Sequence, residues 1–354
     1  MSTLNITTSP TAVANILSAG LPNPTPDNPA KPAGSLNALY MGNRMPYVEQ
    51  YNLTVQREFG SGVVATLSYV GRGGRKLGIA YEIDQALPGP GAVQPRRRFY
   101  AQLPGISSIS EAFTEGNSNY NALQSSLEKR FAHGFGLSTN FTYGHAIDDA
   151  PCRGGCKPGN TAGPFPLMST NLSLDRGNSD VDLRLRWIVT ATYAPSFHWN
   201  GNRFTGALVN NWQFNGILVM QSGSTFTIEN SSARANTGSG DRPNLVGNPY
   251  DIKRSINEWF DVTAFAPQPL YTLGNVGRNT MYGPPLKQLD LSTFRDFKFR
   301  ERTSLQLRAE FFNSLNHPNF GLPGVDRGTS SFGVISDTGN NLARNIQFAA
   351  KFLF

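Results

Sequence analysis

The stretch that decides the fold is FGLSTNFTYG, residues 135–144, because its apolar and small polar residues alternate without a break. One parity carries Phe135, Leu137, Thr139, Phe141 and Tyr143, and the other carries Gly136, Ser138, Asn140, Thr142 and Gly144. Strict alternation predicts a β-strand whose two faces meet different surroundings. The length favours a membrane strand, since a tilted strand needs about 9–11 residues to cross a bilayer, whereas soluble strands average about 5–6.

The same alternation recurs along the chain and predicts nine strands in all. The other eight are residues 47–59, 63–70, 121–131, 183–193, 211–221, 289–299, 303–311 and 345–354. Aromatic residues concentrate at strand ends, where a membrane barrel places its interfacial girdles; they are Tyr47, Phe59, Phe131, Phe135, Tyr143, Tyr193 and Trp212. In the seventh strand Arg295 falls on the apolar parity, so we expect a bulge there.

The links between these strands alternate in length, as they do in outer-membrane barrels, which have short periplasmic turns and long external loops. The short links lie at 60–62, 132–134 and 300–302, with a moderate one at 195–209. The long links span roughly 71–118, 145–180, 223–287 and 317–342. The pattern predicts an all-β, antiparallel transmembrane barrel.

Composition excludes several other classes. Charged residues make up only 16% of the chain and no run of 18 apolar residues occurs, so a transmembrane helix is not available. The net charge of +7 is spread thinly, and Arg96–Arg98 is the only basic run. Aromatic residues do not interleave with further basic residues there, which favours a solvated loop over a nucleic-acid surface.

We predict no catalytic, cofactor or metal site, and therefore no enzyme. The four histidines, His133, His145, His198 and His317, fall in predicted turns or loops without an accompanying nucleophile motif. Gly71–Gly74 is rich in glycine and follows a strand, but no helix follows it, so a phosphate cradle is not expected.

Two groups of charged residues have structural interpretations. The carboxylates Asp148, Asp149, Asp180 and Asp182 lack EF-hand spacing and are expected to be solvated in external loops. Inward-facing polar residues on the strands are expected to form ion pairs in the lumen rather than a substrate site; they are Arg184, Arg186, Asp290, Arg308 and Glu310.

The two cysteines, Cys152 and Cys156, lie four residues apart in a loop rich in glycine and proline. A second pair of ligands at metal spacing is absent nearby, which argues against zinc. A small loop disulfide in an oxidising compartment and two unpaired thiols are both compatible with this spacing.

Several stretches together give the chain a family resemblance. In order they are PYVEQYNLTVQREF, YVGRGGRKL, NYNALQSSLEKRFAHGFGLSTNFTYGHAIDD, NNWQFNGILVMQSGSTFTI, WFDVTAFAPQP, GNVGRNTMYGPPLKQLDLSTFRDF and LRAEFFNSLNHPNFGLP. From about Pro46 onward the chain resembles the C-terminal barrel of TonB-dependent outer-membrane transporters of the Oar-like group. The resemblance implies a cell outer membrane location and a barrel of about 22 strands, a size that normally encloses a plug.

The resemblance also implies partners and one signal. Phe354, Phe352, Phe348 and Ile346 look like the family's barrel-assembly signal, read by the outer-membrane insertion machinery, although a lipid-facing last strand explains the same residues. The implied partners are outer-membrane lipid, the remaining N-terminal strands and plug, and TonB through the parent protein. Neither a cofactor nor nucleic acid is implied.

Two segments are expected. Residues 1–46, which include the proline-rich LPNPTPDNPAKP, resemble an external or disordered loop, and residues 47–354 form the C-terminal part of the barrel. A secretory signal peptide is not evident near Met1. Since bacterial single-chain barrels have even strand numbers, nine strands indicate part of a larger barrel, from a truncated gene or a partial sequence.

Three functions remain open at this point. The first is uptake of a large nutrient such as an oligosaccharide, a peptide or a metal complex. The second is a truncated barrel remnant with a structural or surface-interaction role. The third, a soluble secreted β-sandwich that acts as a binding module, predicts shorter strands and no alternation of link lengths.

Overall fold

The computed structural model describes residues 34–60, 62–149, 166–195, 206, 210–300, 303–339 and 343–354. Its strands are β1 Gly34–Leu39, β2 Tyr47–Phe59, β3 Val63–Glu82, β4 Ile106–Ala132, β5 Phe135–Asp148, β6 Gly177–Asn178, β7 Leu185–Tyr193, β8 Trp212–Gln221, β9 Thr225–Phe226, β10 Glu229–Asn230, β11 Asn244–Leu245, β12 Phe265–Ala266, β13 Met281–Tyr282, β14 Leu286–Arg300, β15 Thr303–Phe312, β16 Asp326–Arg327 and β17 Asn345–Leu353. Short 3₁₀ turns occupy Gln94–Arg96, Leu172–Asp175 and Val262–Ala264.

The long strands form one antiparallel sheet in the order β17-β15-β14-β8-β7-β5-β4-β3-β2, which contains all nine predicted strands. The all-β barrel-type fold predicted from the sequence is therefore confirmed. Among the described residues β2 pairs only with β3 and β17 only with β15, so the sheet is open at both edges, as in a partial barrel. No helix among the described residues is long and apolar enough to cross a membrane.

The register places the apolar parity of every strand on one face. A single row of paired residues crosses all nine strands through Phe59, Val63, Lys129, Leu137, Ala191, Gly216, Leu291, Phe311 and Ile346. Directly paired residues lie on the same face of a sheet, and a slip of one residue in any strand would turn its side chains over. Alternation in the sequence and pairing in the structure therefore agree.

The stagger of this row measures how far the strands tilt. In β2 the row passes through Phe59, beside its short turn, whereas in β14 it passes through Leu291, nine residues before the strand ends at Arg300. Nine residues at about 3.3 Å, over six strand spacings of about 4.8 Å, correspond to a tilt of about 45°. Membrane barrels have this tilt.

Three strands extend by four or more residues at one end beyond the predicted alternation. β3 continues to Glu82, β4 already begins at Ile106, and β5 continues to Asp148, so the first long link shrinks to residues 83–105. These extensions carry buried apolar side chains, Ile79, Tyr81 and Phe113, which pack with residues of the links. The register of β3 against β4 is irregular between Gly74 and Gly78, so the alternation is interrupted before the extension of β3 begins.

The structure also differs from the sequence prediction at Arg295 and in the segment before β2. Arg295 is paired continuously, with Leu307 on one side and Trp212 on the other, so the predicted bulge is absent there; an irregularity occurs between Lys298 and Arg300 instead. Within the segment expected to resemble a loop, β1 pairs in parallel with β4. It occupies the edge of β4 that lies beyond the end of β5.

Candidate functional site

The described links fold into a second body at the long-link end of the sheet, which we call the loop layer: residues 83–105, 166–184, 222–285 and 313–339. Its hydrophobic core is formed by Phe226, Ile228, Phe260, Ala264, Phe265, Val276 and Met281. Leu322, Val325 and Phe332 from the last link pack against it. Three two-stranded pairings, β9 with β13, β10 with β16 and β11 with β12, connect its parts.

Arg278 is the fully buried cation that joins the loop layer to the sheet. Its guanidinium forms an ion pair with Asp148 at the end of β5, and its Nη1 lies 3.6 Å from Asp180 Oδ1. Its Nε donates to the backbone oxygen of Asp175 at 2.7 Å. This one side chain therefore connects its own link with the end of β5 and with the link that contains Asp175 and Asp180.

The neighbouring Asn279 completes this junction. Its backbone adopts a positive φ of 54°, a conformation that asparagine tolerates better than most residues. Its side-chain amide donates to Asp180 Oδ1 at 2.6 Å and to the backbone oxygen of Asn178 at 2.9 Å. Its backbone N–H donates to Thr227 Oγ1 at 2.9 Å. This geometry orders the link without requiring a ligand.

Two further buried carboxylates pair with arginines. Asp175 forms an ion pair with Arg242 and accepts from the backbone N–H of Leu167 at 2.8 Å. Asp182 accepts from Arg184 Nε at 3.0 Å and from the backbone N–H of Ala146 at 2.7 Å. His145 Nδ1 lies 3.4 Å from the same carboxylate of Asp182.

The expectation that the loop carboxylates are solvated is therefore wrong for three of them. Asp180 and Asp182 are buried, and the side chain of Asp148 is 14% exposed. Burial raises the pKa of Asp148, an effect that Arg278 opposes. Asp149 accepts a hydrogen bond from the backbone N–H of Asn117. The sequence could not show this burial, because it depends on how separate links pack over one another.

The half-buried Glu229 lies where the third long link pairs with the last one. Glu229 of β10 pairs in parallel with Asp326 of β16, and its N–H donates to the backbone oxygen of Val325 at 3.1 Å. Burial and the charge of Asp326 together raise the pKa of Glu229 to about 7, against the opposing effect of Arg242. We therefore expect the contact between the two links to depend on pH near neutrality.

The polar strand residues form local contacts. Arg308 Nη1 lies 3.5 Å from Glu310 Oε1 on the same strand, and Arg184 pairs with Asp182. Asp290 accepts from the backbone N–H of Asn313 at 2.8 Å, at the turn that leads into the last link. The backbone N–H of His317 donates to Asn313 Oδ1 at 3.0 Å in that turn.

On the polar face, neighbouring strands are linked by side-chain hydrogen bonds. Thr192 Oγ1 donates to Asn215 Oδ1 at 3.1 Å, and Asn215 Nδ2 donates to Ser292 Oγ at 3.2 Å. Thr54 and Ser68 are joined at 2.9 Å. Such a face suits an aqueous or polar filling.

The four residues of the predicted assembly signal lie on the exposed edge strand or directly after it. Ile346, Phe348 and Phe352 pair opposite Phe311, Ala309 and Leu305 on the apolar face. Phe348 is 76% and Phe354 96% exposed. This placement accommodates both a lipid-facing strand and a signal. Cys152 and Cys156 lie outside the described residues, so their pairing stays a prediction.

Within the described ranges, no group of three histidine, cysteine, aspartate or glutamate side chains is arranged to hold a metal ion. Asp148, Asp175, Asp180 and Asp182 instead face arginines, whose charge occupies the position that a cation would take. The site features are thus a packed loop layer, buried ion pairs beneath it and an apolar face on the sheet.

A comparison with protein-family models agrees with this architecture. A family model described as the outer membrane beta barrel domain matches residues 1–347. The chain belongs to this family. No curated protein sequence matches the chain. The outer membrane transporter YddB from Escherichia coli is a similar solved structure, with 10% sequence identity and a TM-score of 0.46 over 91% of this chain. The chain spans only 35% of that transporter's length.

Proposed function

We propose that the chain forms part of the wall of a TonB-dependent, Oar-like outer-membrane transporter that takes up a large nutrient. The observation that carries the proposal is the loop layer, an ordered body with its own core at the long-link end of a barrel-type sheet. Loops held this rigidly can present a binding surface, whereas loops without a core cannot hold side chains in fixed positions.

The stretches behind the family resemblance support this proposal through their placement. GNVGRNTMYGPP, residues 274–285, contains both Arg278 and Asn279, and these residues join the loop layer to the sheet. A motif that carries the junction between a barrel and its external loops fits a transporter in which loop position matters. The substrate class, an oligosaccharide, a peptide or a metal complex, is part of the proposal.

The open edges specify what must complete the barrel. Because the nine long strands alternate in direction, β2 and β17 run the same way. Antiparallel closure therefore needs an odd number of additional strands, which also makes the total even, as bacterial barrels require. We propose that these strands and a plug belong to the parent protein, which would contact TonB.

The alternative is a barrel remnant with a structural or surface-interaction role, and the two exposed edge strands favour it. Every residue of β2 and of β17 is exposed in the chain by itself. Lipid cannot satisfy unpaired backbone groups, so such edges are costly in a membrane unless another strand pairs with them. Edges that must pair with another chain fit an interaction role. The soluble sandwich is set aside, because the long strands form one sheet and the chain belongs to an outer-membrane barrel family. Neither remaining function includes catalysis.

The test compares uptake in cells that produce the membrane-assembled protein with and without functional TonB. The probes are labelled maltodextrins, labelled tryptic peptides and ferric citrate. Transport predicts that at least one probe accumulates only when both the protein and TonB are present. Equal accumulation of every probe in both strains, with the protein verified in the outer membrane, would instead support the barrel remnant with a structural or surface-interaction role.

A further inference from the structure

A groove of about 380 Å³ opens on the apolar face across β2 to β5. It lies between two neighbouring rows of paired residues. One row contains Leu67 and Ser125, and the next contains Ala65 and Leu127. The small side chains of Ala65 and Ser125 lie diagonally opposite each other, between the larger Leu67 and Leu127, and leave a depression there. In an outer-membrane barrel the apolar face of the wall meets lipid, and the groove opens on that face.

The groove has a defined orientation in the membrane. Its β2 end lies at Arg57, close to the short turn that follows Phe59, whereas its β5 end lies at Phe141, further from the turn at 133–134. Because the strands tilt by about 45°, a groove that crosses them rises from the short-turn interface toward the middle of the bilayer. It spans three strand spacings, about 14 Å, the length scale of an extended acyl chain.

The only charged side chain that lines the groove among the described residues is Arg57, at the interfacial end. Its guanidinium lies 5.4 Å from the centre of the Phe59 ring and is exposed. Lys129, one row nearer the turn on the same face, already donates to the backbone oxygen of Phe135 at 3.0 Å. A guanidinium at headgroup depth is matched in charge and geometry to a phosphate.

Elsewhere the exposed lining is mostly apolar, with hydroxyls from Ser125 and Thr139. The hydroxyl of Thr139 already accepts from Trp187 Nε1 at 2.7 Å, so one of its acceptor positions is occupied within the protein. Leu67, Leu127 and Phe141 supply hydrocarbon walls. An aqueous ligand would gain little from such a lining, whereas an acyl chain needs no polar partner there.

We propose that this groove binds one acyl chain of an anionic phospholipid from the leaflet on the short-turn side, with the phosphate at Arg57. The lipid would cover the β2–β5 part of the wall and fix the depth of that part in the bilayer. This inference requires only that the apolar face meets lipid, and it is independent of TonB and of the transported nutrient.

The test uses the protein in its membrane-assembled form, with the strands that complete the barrel, in vesicles of phosphatidylcholine and phosphatidylglycerol. Native mass spectrometry then counts the lipids retained after detergent extraction. We expect the wild type to retain one phosphatidylglycerol. Ala65→Leu fills the depression and should abolish retention. Arg57→Gln should lower the preference for phosphatidylglycerol over phosphatidylcholine by about tenfold, as expected for one lost charge-assisted hydrogen bond.

Matched controls separate the groove from general effects. Ala309→Leu makes the same change on the apolar face of β15, and Arg72→Gln removes the same charge from the polar face of β3; both should retain lipid as the wild type does. Equal retention by Ala65→Leu, or an unchanged lipid preference in Arg57→Gln, would refute the site.

A measurement on the unaltered protein covers the case in which a variant does not assemble. A phosphatidylglycerol with a photoreactive acyl chain should crosslink to peptides that contain Ala65 or Ser125. Crosslinking spread evenly over the apolar face, or confined to β14–β17, would overturn the proposal.

Discussion

The sheet and the loop layer place apolar side chains in opposite environments within one chain. In the sheet Leu53 is 70% and Phe348 76% exposed, whereas Phe226 and Phe260 of the loop layer are at most 1% exposed. The loop layer thus resembles the interior of a soluble domain, and the sheet relies on hydrocarbon outside it. Apolar side chains of the loop layer are thus removed from water by other protein segments, whereas those of the sheet are removed from water by the surrounding lipid.

Polar groups differ between the two regions in the same way. The loop layer buries Arg278 and its carboxylate partners beneath the links, whereas the polar face of the sheet exposes a ladder of neutral hydrogen bonds. Loss of one partner from a buried pair leaves an uncompensated charge. The loop layer should therefore be the more fragile region, and the following variants test this difference.

The largest effect is expected from Arg278→Met. It leaves Asp148 and Asp180 buried without their cation, which should destabilise the loop layer by about 3–5 kcal/mol. Limited proteolysis should cleave the links of the variant rapidly while the strands stay protected. Arg254→Met, in the same link but exposed, is the control and should resist cleavage as the wild type does. Equal protection of both variants would show that the buried pair is not a structural junction.

The second variant compares two phenylalanines. Phe260→Ala removes a fully buried ring and should cost the loop layer about 3–5 kcal/mol. Phe214→Ala, on the apolar face of β8 and 46% exposed, should cost much less, because lipid fills the space that the ring leaves. Native-state hydrogen exchange of the membrane-assembled protein measures both effects. Similar costs would mean that Phe214 packs against protein rather than lipid.

The third variant tests the two faces of one strand. Leu53→Lys places a charge in the middle of β2 on the apolar face and should destabilise the assembled barrel by about 2–4 kcal/mol. Thr54→Lys, one residue further on, turns toward the polar face and should be tolerated. The change in gel mobility of the assembled protein on heating measures how stably each variant is folded. A tolerated Leu53→Lys together with a damaging Thr54→Lys would reverse the assignment of the faces.

The smallest effect concerns pH. Burial and the charge of Asp326 raise the pKa of Glu229 from 4.5 to about 7, so the neutral form is favoured in the folded protein. The stability from this contact is fully present below pH 4.5, and it is lost as the pH rises toward 7. Glu229→Gln should remove this dependence and protect the last link at pH 8, by less than about 3 kcal/mol. The exposed Glu258→Gln is the control.

Proteolysis of the last link between pH 4 and pH 8 is the measurement for these two variants. The wild type and Glu258→Gln should become more sensitive as the pH rises, whereas Glu229→Gln should change little. If the wild type is equally protected throughout this range, the pairing of Glu229 with Asp326 does not limit the stability of the link.

The sequence by itself determined the sheet. Period-2 alternation located all nine long strands and assigned their faces, because one face of a membrane strand meets a single apolar solvent along most of its length. It also placed Ile346, Phe348 and Phe352 on the apolar face of the last strand. These features need no knowledge of distant contacts.

Only the tertiary structure decided the loop layer and the strand ends. The burial of Asp148, Asp180 and Asp182 and the role of Arg278 come from contacts between links that are distant in the chain. The burial of Ile79 and Tyr81 on the extension of β3 was hidden for the same reason. A local pattern records which solvent a residue meets along its own strand, and it carries no information about which separate segment will cover that residue.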